Sequence, residues 1–272
     1  MPEHPTVLLA PRATNDSIRV WETANALGWP TRRLGSWRVP EGLADAATDF
    51  VIYAEPLFAE AVSDQLGLIL LEPPLDWLCR LPHAFGKRRI VLLPLSEARF
   101  LMEPAFIKPA EGKVFEARIY QNGSDLPTDD TVDGNLPVLC SEPFDFQFEV
   151  RTFLCGRELL SFSPYWRNGA LAQTEAGDWP FLNSEEAEAR GFLEEILASP
   201  DVELPPACVL DLGRTSQGEW AVIEANPCWG AGLYGCSAST ALEAGRHALK
   251  RVAAMKEEDW RWTSPRVRNR QL

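Results

Sequence analysis

The 272-residue chain is 46% apolar and 24% charged, enough to bury a core in one large domain or two modest ones and too apolar for extended disorder. A net charge of -13 excludes a general nucleic-acid binder, which needs a basic field, and makes any lysine or arginine in a cluster informative. The start, MPEHPTVLLAP, lacks the charge and apolar length of a signal peptide, and no apolar run approaches the ~20 residues of a membrane-spanning helix. Six cysteines (Cys79, Cys140, Cys155, Cys208, Cys228 and Cys236) form no CxxC pair and lie mostly in apolar segments, as reduced thiols of a cytoplasmic protein do.

Residues 1–100 read as a small α/β unit. A strand over 6–10 precedes a helix over 17–27, with Asp16 as N-cap, Ile18, Val20, Trp21, Ala24 and Leu27 as its apolar face, and Gly28 and Pro30 as its end. Strands follow at 33–34, 49–54, 68–71 and 89–93, with helices at 56–66 and 75–81 between them. Strand–helix alternation of this kind predicts a mostly parallel sheet. No GxGxxG follows the first strand, which leaves a dinucleotide-binding reading with little support.

The next strand, 105–108, ends at Lys108, and Pro109 restricts that lysine to extended backbone, projecting from a strand end. A returning strand over 115–120 leaves Lys113 in the turn. Two lysines so placed are either surface charges or compact point charges for phosphate oxygens. Residues 121–135 form a polar loop whose Asp129, Asp130 and Asp133 lack the glycine and glutamate spacing of a calcium loop. A strand and hinge span 137–143 and include Glu142. On the strand over 148–154, Glu149 and Arg151 point one way, as an in-strand ion pair or as part of a site.

Strands over 158–164, 208–212 and 220–225 follow, with a loop over 165–169 and a helix over 185–198 between the first two. The last two strands form a hairpin that places Asp211, Glu224 and Asn226 near one end. Two carboxylates and an amide oxygen suit a hard cation such as magnesium, and they also suit a hairpin end that is merely solvated. The glycine-rich stretch 227–235 lets backbone approach a ligand. Thr240 and Glu243 form a capping box for a helix reaching Lys256. Arg261, Arg266, Arg268 and Arg270 occupy a basic segment, 259–272, which is either a solvated tail or folds back onto the acidic body.

Taken in order, Lys108-Pro109, Lys113, Ser141-Glu142-Pro143, Glu149-Val150-Arg151 and Asp211…Glu224-x-Asn226-Pro227 resemble the ATP-grasp superfamily over about residues 103–250. The closer resemblance is to a clade with the pattern KPxxxKxF…ExRxF…LDxG…ExNPxW. It implies an α/β (α+β) chain: an ATP-grasp domain over 101–258, with subdomains 101–141 and 142–258, after a small N-terminal α/β domain over 1–100. It also implies ATP and Mg2+ as cofactors. Lys108 would meet the α and β phosphates, and Lys113 would lie on a closing loop in which Gly112 is the one glycine. Glu142 would lie on the adenine-binding hinge, Glu149 at the ribose, and Asp211, Glu224 and Asn226 on the metal. Arg151 is taken as a phosphate-side or acceptor-carboxylate cation.

The activity so implied is an ATP-dependent carboxylate–amine, or carboxylate–thiol, ligase that forms an acylphosphate on small-molecule or peptide substrates. Lys108, Lys113 and Arg151 would neutralise the transferring phosphoryl group. A phosphotransferase and a non-catalytic nucleotide-binding or interaction protein are the alternatives. No GxSxG, HExxH, P-loop or kinase signature occurs, and His4, His83 and His247 form no constellation. The acceptor, the donor and the oligomeric state stay open.

Overall fold

In the computed structural model, which describes residues 4–46 and 49–269, strand β1 (Thr6–Leu9) is an apolar run buried throughout. It is flanked in parallel by β2 (Thr31–Arg33) and β3 (Phe50–Tyr53). A strand buried on both faces needs no alternation, which is why β1 and β3 are nearly all apolar. The helix Asn15–Ala26 covers this sheet, but its N-cap is Thr14 and not Asp16. Thr14 Oγ1 accepts from the Ser17 amide at 3.1 Å while Ser17 Oγ accepts from the Thr14 amide at 2.8 Å. Asp16 is freed for a distant partner, the Leu233 amide, at 3.0 Å. The buried face is also narrower than predicted: Val20 and Ala24 are inward, whereas Ile18, Trp21 and Leu27 are exposed.

The predicted mostly parallel sheet stops at three strands. Strand β4 (Leu68–Leu70) pairs antiparallel with a segment near the other end of the chain. Strand β5 (Ile90–Pro94), expected within the N-terminal unit, instead pairs antiparallel with a strand about fifty residues on. Alternation along the sequence reports which segments are strands; it does not report their partners.

Strand β5 belongs to an antiparallel sheet with β6 (Ala105–Pro109), β7 (Arg118–Tyr120) and β8 (Pro137–Ser141), in the order β5-β8-β6-β7. A five-stranded antiparallel sheet follows, ordered β11-β10-β9-β12-β13. Its members are β9 (Phe146–Cys155), β10 (Glu158–Arg167), β11 (Ala170–Leu171), β12 (Ala207–Thr215) and β13 (Trp220–Asn226). Strand β10 continues through Arg167 where a loop was predicted. The helix Glu185–Ala198 buries Ala189, Leu193 and Ile196 against the sheet. Gly213 of β12 lies under the Phe146 ring, where a Cβ would come within 2.2 Å of Cδ1, so no larger residue fits.

The helix predicted to reach Lys256 is shorter, Ala238–His247, and is capped by Ser237 instead of a Thr240–Glu243 box. The chain then leaves helical geometry because β14 (Leu249–Arg251) completes the pair with β4. The basic segment is not a solvated tail: Trp262, Thr263 and Ser264 are buried, and the Trp262 carbonyl accepts from the Glu72 amide at 2.7 Å. Arg261 pairs with Glu203 at 2.7 Å, and Arg270 lies outside the described residues. All six cysteines are free, including the buried Cys228 and Cys236. Among the described residues, no helix is long and apolar enough to cross a membrane.

Candidate functional site

The site is built by register. Strand β9 lies beside β12, and β12 beside β13, so that Arg151 stands opposite Asp211 and Asp211 opposite Glu224. An irregularity between Asp211 and Leu212 sits at this point and re-aims the pair. Asn226, two residues beyond Glu224 on β13, donates through Nδ2 to Glu224 Oε1 at 2.8 Å and to Asp211 Oδ2 at 3.3 Å. Lys108, at the end of β6 in the other antiparallel sheet, reaches across and pairs with Glu224 Oε2. The two sheets are therefore tied at the metal-ligand candidates themselves.

Arg151 is held behind this row. Its Nε and one Nη donate to the two oxygens of Asp211 at 2.9 and 2.6 Å, and its other Nη donates to the Gly232 carbonyl at 2.9 Å. Asp211 is fully buried and Arg151 nearly so. The guanidinium also lies 4.8 Å from the Tyr234 ring and 5.4 Å from the Tyr165 ring, which stack on each other at 4.8 Å. Trp179 meets Tyr234 edge-on, as expected of a residue packing this loop down. Glu149 does not point to open space: it accepts from the Tyr165 hydroxyl. Glu142 is exposed, and its Oε2 accepts from the Arg89 amide at 3.0 Å, apart from the other candidates.

Electrostatics follow from burial and pairing. Burial alone would raise the Glu224 carboxyl; the Lys108 ammonium and hydrogen bonds from Lys108 and Asn226 outweigh it and hold the group at about 2. Burial lowers the Arg151 guanidinium, and the Asp211 carboxylate more than offsets this, so the pair is ionised. Burial raises the Glu149 carboxyl, with the Tyr165 hydrogen bond acting against it. The same burial, with Asp211 and Glu149 nearby, pushes the Tyr165 phenol up.

Lys108, Lys113, Glu224 and Asn226 share the wall of one cleft of about 1210 Å³ with apolar side chains such as Trp77, Leu78 and Leu139. The donor set fits a hard divalent cation. Three oxygen-bearing side chains converge on the Asn226 amide, and turning that amide over presents its oxygen where its nitrogen now bonds. A cation, the Lys108 ammonium, already stands against Glu224. The set contains two carboxylates and an amide; among the described residues no group of three or more His, Cys, Asp or Glu could hold a metal ion.

Several participants had no clear sequence signal. Tyr234 and the Gly232 carbonyl reach Arg151 only because the segment after β13 folds back over the sheet. Glu72, shortly after β4, lines the same cleft. Burial, with the carboxylates of Glu111 and Glu60, pushes its carboxyl up from 4.5 to about 8, against the pull of Arg266. The folded chain thus keeps a proton that the unfolded chain releases above 4.5, and stability falls as pH rises from 4.5 to about 8. Glu72→Gln is expected to match the native melting temperature near pH 4.5 and to exceed it by about 5 °C at pH 8.5. A difference that stays constant with pH would refute the assignment.

The comparisons with known proteins agree with this geometry. Residues 85–244 match a family described as an ATP-grasp domain, the second family of its clade. A search of curated proteins finds no match. Among solved structures, a RimK domain ATP-grasp protein from Sphaerobacter thermophilus is 15% identical, with 90% of this chain and 98% of that one covered and a TM-score of 0.54. The D-alanine–D-alanine ligase of Bacillus anthracis is 10% identical, over 89% and 97% of the chains, with a TM-score of 0.51. The N5-carboxyaminoimidazole synthetase of Staphylococcus aureus is 12% identical, over 91% and 80%, with a TM-score of 0.51. These likenesses establish the fold, and the matched segment, more than half of the sequence, shows that the chain belongs to the ATP-grasp family.

Proposed function

We propose that the protein is an ATP- and magnesium-dependent ligase that joins a carboxylate to an amine or thiol through an acylphosphate. The observation that carries this reading is the Lys108–Glu224 pair joining two antiparallel sheets at one cleft, with Asn226 and Lys113 on the same wall. Lys108 and Lys113 supply positive charge to the nucleotide phosphates, and Asp211, Glu224 and Asn226 are the side chains that would hold magnesium. Bound there, the ion supplies charge neutralisation at the transferring phosphoryl group.

Each residue then has a task of its own. Lys108 exchanges its carboxylate partner for phosphate oxygens, while Glu224, ionised down to about 2, stays an acceptor throughout the working pH range. Arg151 keeps Asp211 ionised inside the sheet and orients it, a role inward of the substrate-facing one expected from the sequence. Glu142, exposed beyond β8, offers acceptors to the nucleoside, whereas Glu149 is oriented by Tyr165. The apolar wall excludes the water that would hydrolyse an acylphosphate.

Calorimetric titration of the native chain with ATP, with and without magnesium, tests the reading. Binding that requires magnesium is expected. No heat of binding up to about millimolar nucleotide would sink the nucleotide site. With binding in hand, release of ADP and free phosphate only when carboxylate and amine pools are both present marks a ligase, and a stable phosphorylated product marks a phosphotransferase instead.

A further inference from the structure

The basic C-terminal segment adds a charged group to the cleft that the ATP-grasp motifs do not include. Arg266, in the short helix Pro265–Asn269, lines the cleft together with Lys113. The segment is anchored just before it by the buried Trp262, Thr263 and Ser264, and the Val267 amide donates to Ser264 Oγ at 3.3 Å. One Nη of Arg266 stands 3.4 Å from Glu60 Oε2, on the helix Pro56–Gln65 of the N-terminal unit. The other stands 3.6 Å from Glu111 Oε2, on the β6–β7 loop and two residues before Lys113. Glu72 lies on the same cleft wall, so three carboxylates from three separate segments face this one guanidinium.

Like charges at such separations repel. With Arg266 removed, Glu111 would be driven away from Glu60 and Glu72, and Lys113 would move with it. We propose that Arg266 is a positioning residue, a latch from the C-terminal segment that holds the Lys113 loop against the N-terminal unit. Its effect on nucleotide binding rests on the function proposed above; the latch itself does not.

Two readouts separate the possibilities. The first is hydrogen–deuterium exchange of the amides of residues 110–117 without nucleotide, in the native chain, Arg266→Ala, Glu111→Gln, and the swap Arg266→Glu with Glu111→Arg. Exchange about three- to five-fold faster is expected in both single variants, the size appropriate to half-exposed ion pairs, with a return toward native in the swap. Unchanged exchange in Glu111→Gln, which leaves the C-terminal anchor intact, overturns the latch whether or not the chain binds ATP. The second readout is Mg-ATP affinity in the same set, expected to weaken about three- to five-fold in the single variants and to recover in the swap. Native-like affinity in both single variants of a chain that does bind ATP overturns the positioning role. A native chain that binds no ATP defeats the nucleotide reading alone, and the exchange data still decide the latch.

Discussion

Replacing Arg151 with alanine is expected to cost the fold about 3–5 kcal/mol, because it leaves the Asp211 carboxylate buried without its partner. Both Asp211 oxygens accept from Arg151, and the one other side-chain donor recorded to them is Asn226, at 3.3 Å. For a chain of this size the loss corresponds to a fall in melting temperature of roughly 10 °C. The companion variant, Arg151→Met with Asp211→Leu, removes both charges and replaces them with apolar bulk, and should recover most of that stability. A single variant that melts within about 2 °C of the native chain would show that the pair is dispensable. A double variant no more stable than Arg151→Ala would show that Arg151 acts through Gly232 and the tyrosines instead of through Asp211.

Glu224→Gln is expected to weaken magnesium-dependent nucleotide binding at least about 10-fold, the scale on which a site loses affinity when its ligand shell is disturbed. Lys108→Ala should weaken it as well, through the lost phosphate contact. The two residues are hydrogen-bonded partners, so the double variant should fall short of the sum of the single effects. Acid stability gives a second reading of the same pair. Glu224 sits at about 2 when folded against an ordinary 4.5, so its contribution is complete above 4.5 and is lost as pH falls through about 2. Lys108→Ala should therefore flatten the stability profile between those values. Nucleotide binding that survives Glu224→Gln unweakened would remove Glu224 from the metal set.

Much of this was legible in the sequence because it is local. The extended geometry at Lys108-Pro109, the period-two placement of Glu224 and Asn226, and the turn at Gln217-Gly218 that returns β13 onto β12 follow from neighbours in the chain. The motif order carried the family for the same reason: each piece occupies one strand end or one turn. Fragments of the N-terminal unit were legible too, since buried parallel strands and helix stops have short-range signatures.

What tertiary structure decided is pairing at long range. Periodicity marks β4 and β5 as strands but does not specify that β4 takes β14, or that β5 joins β8, because hydrogen-bonded edges carry no sequence label of their own. The roles of charged groups were decided the same way. Arg151 reads as a free cation on a strand until register puts Asp211 beside it, 60 residues away in sequence. Arg266 reads as part of a solvated tail until burial of Trp262 brings it to the cleft. The sequence by itself determined which residues carry charge and where each strand ends; burial and register determined which charges meet, because a charge withdrawn from water must find its partner wherever the fold places one.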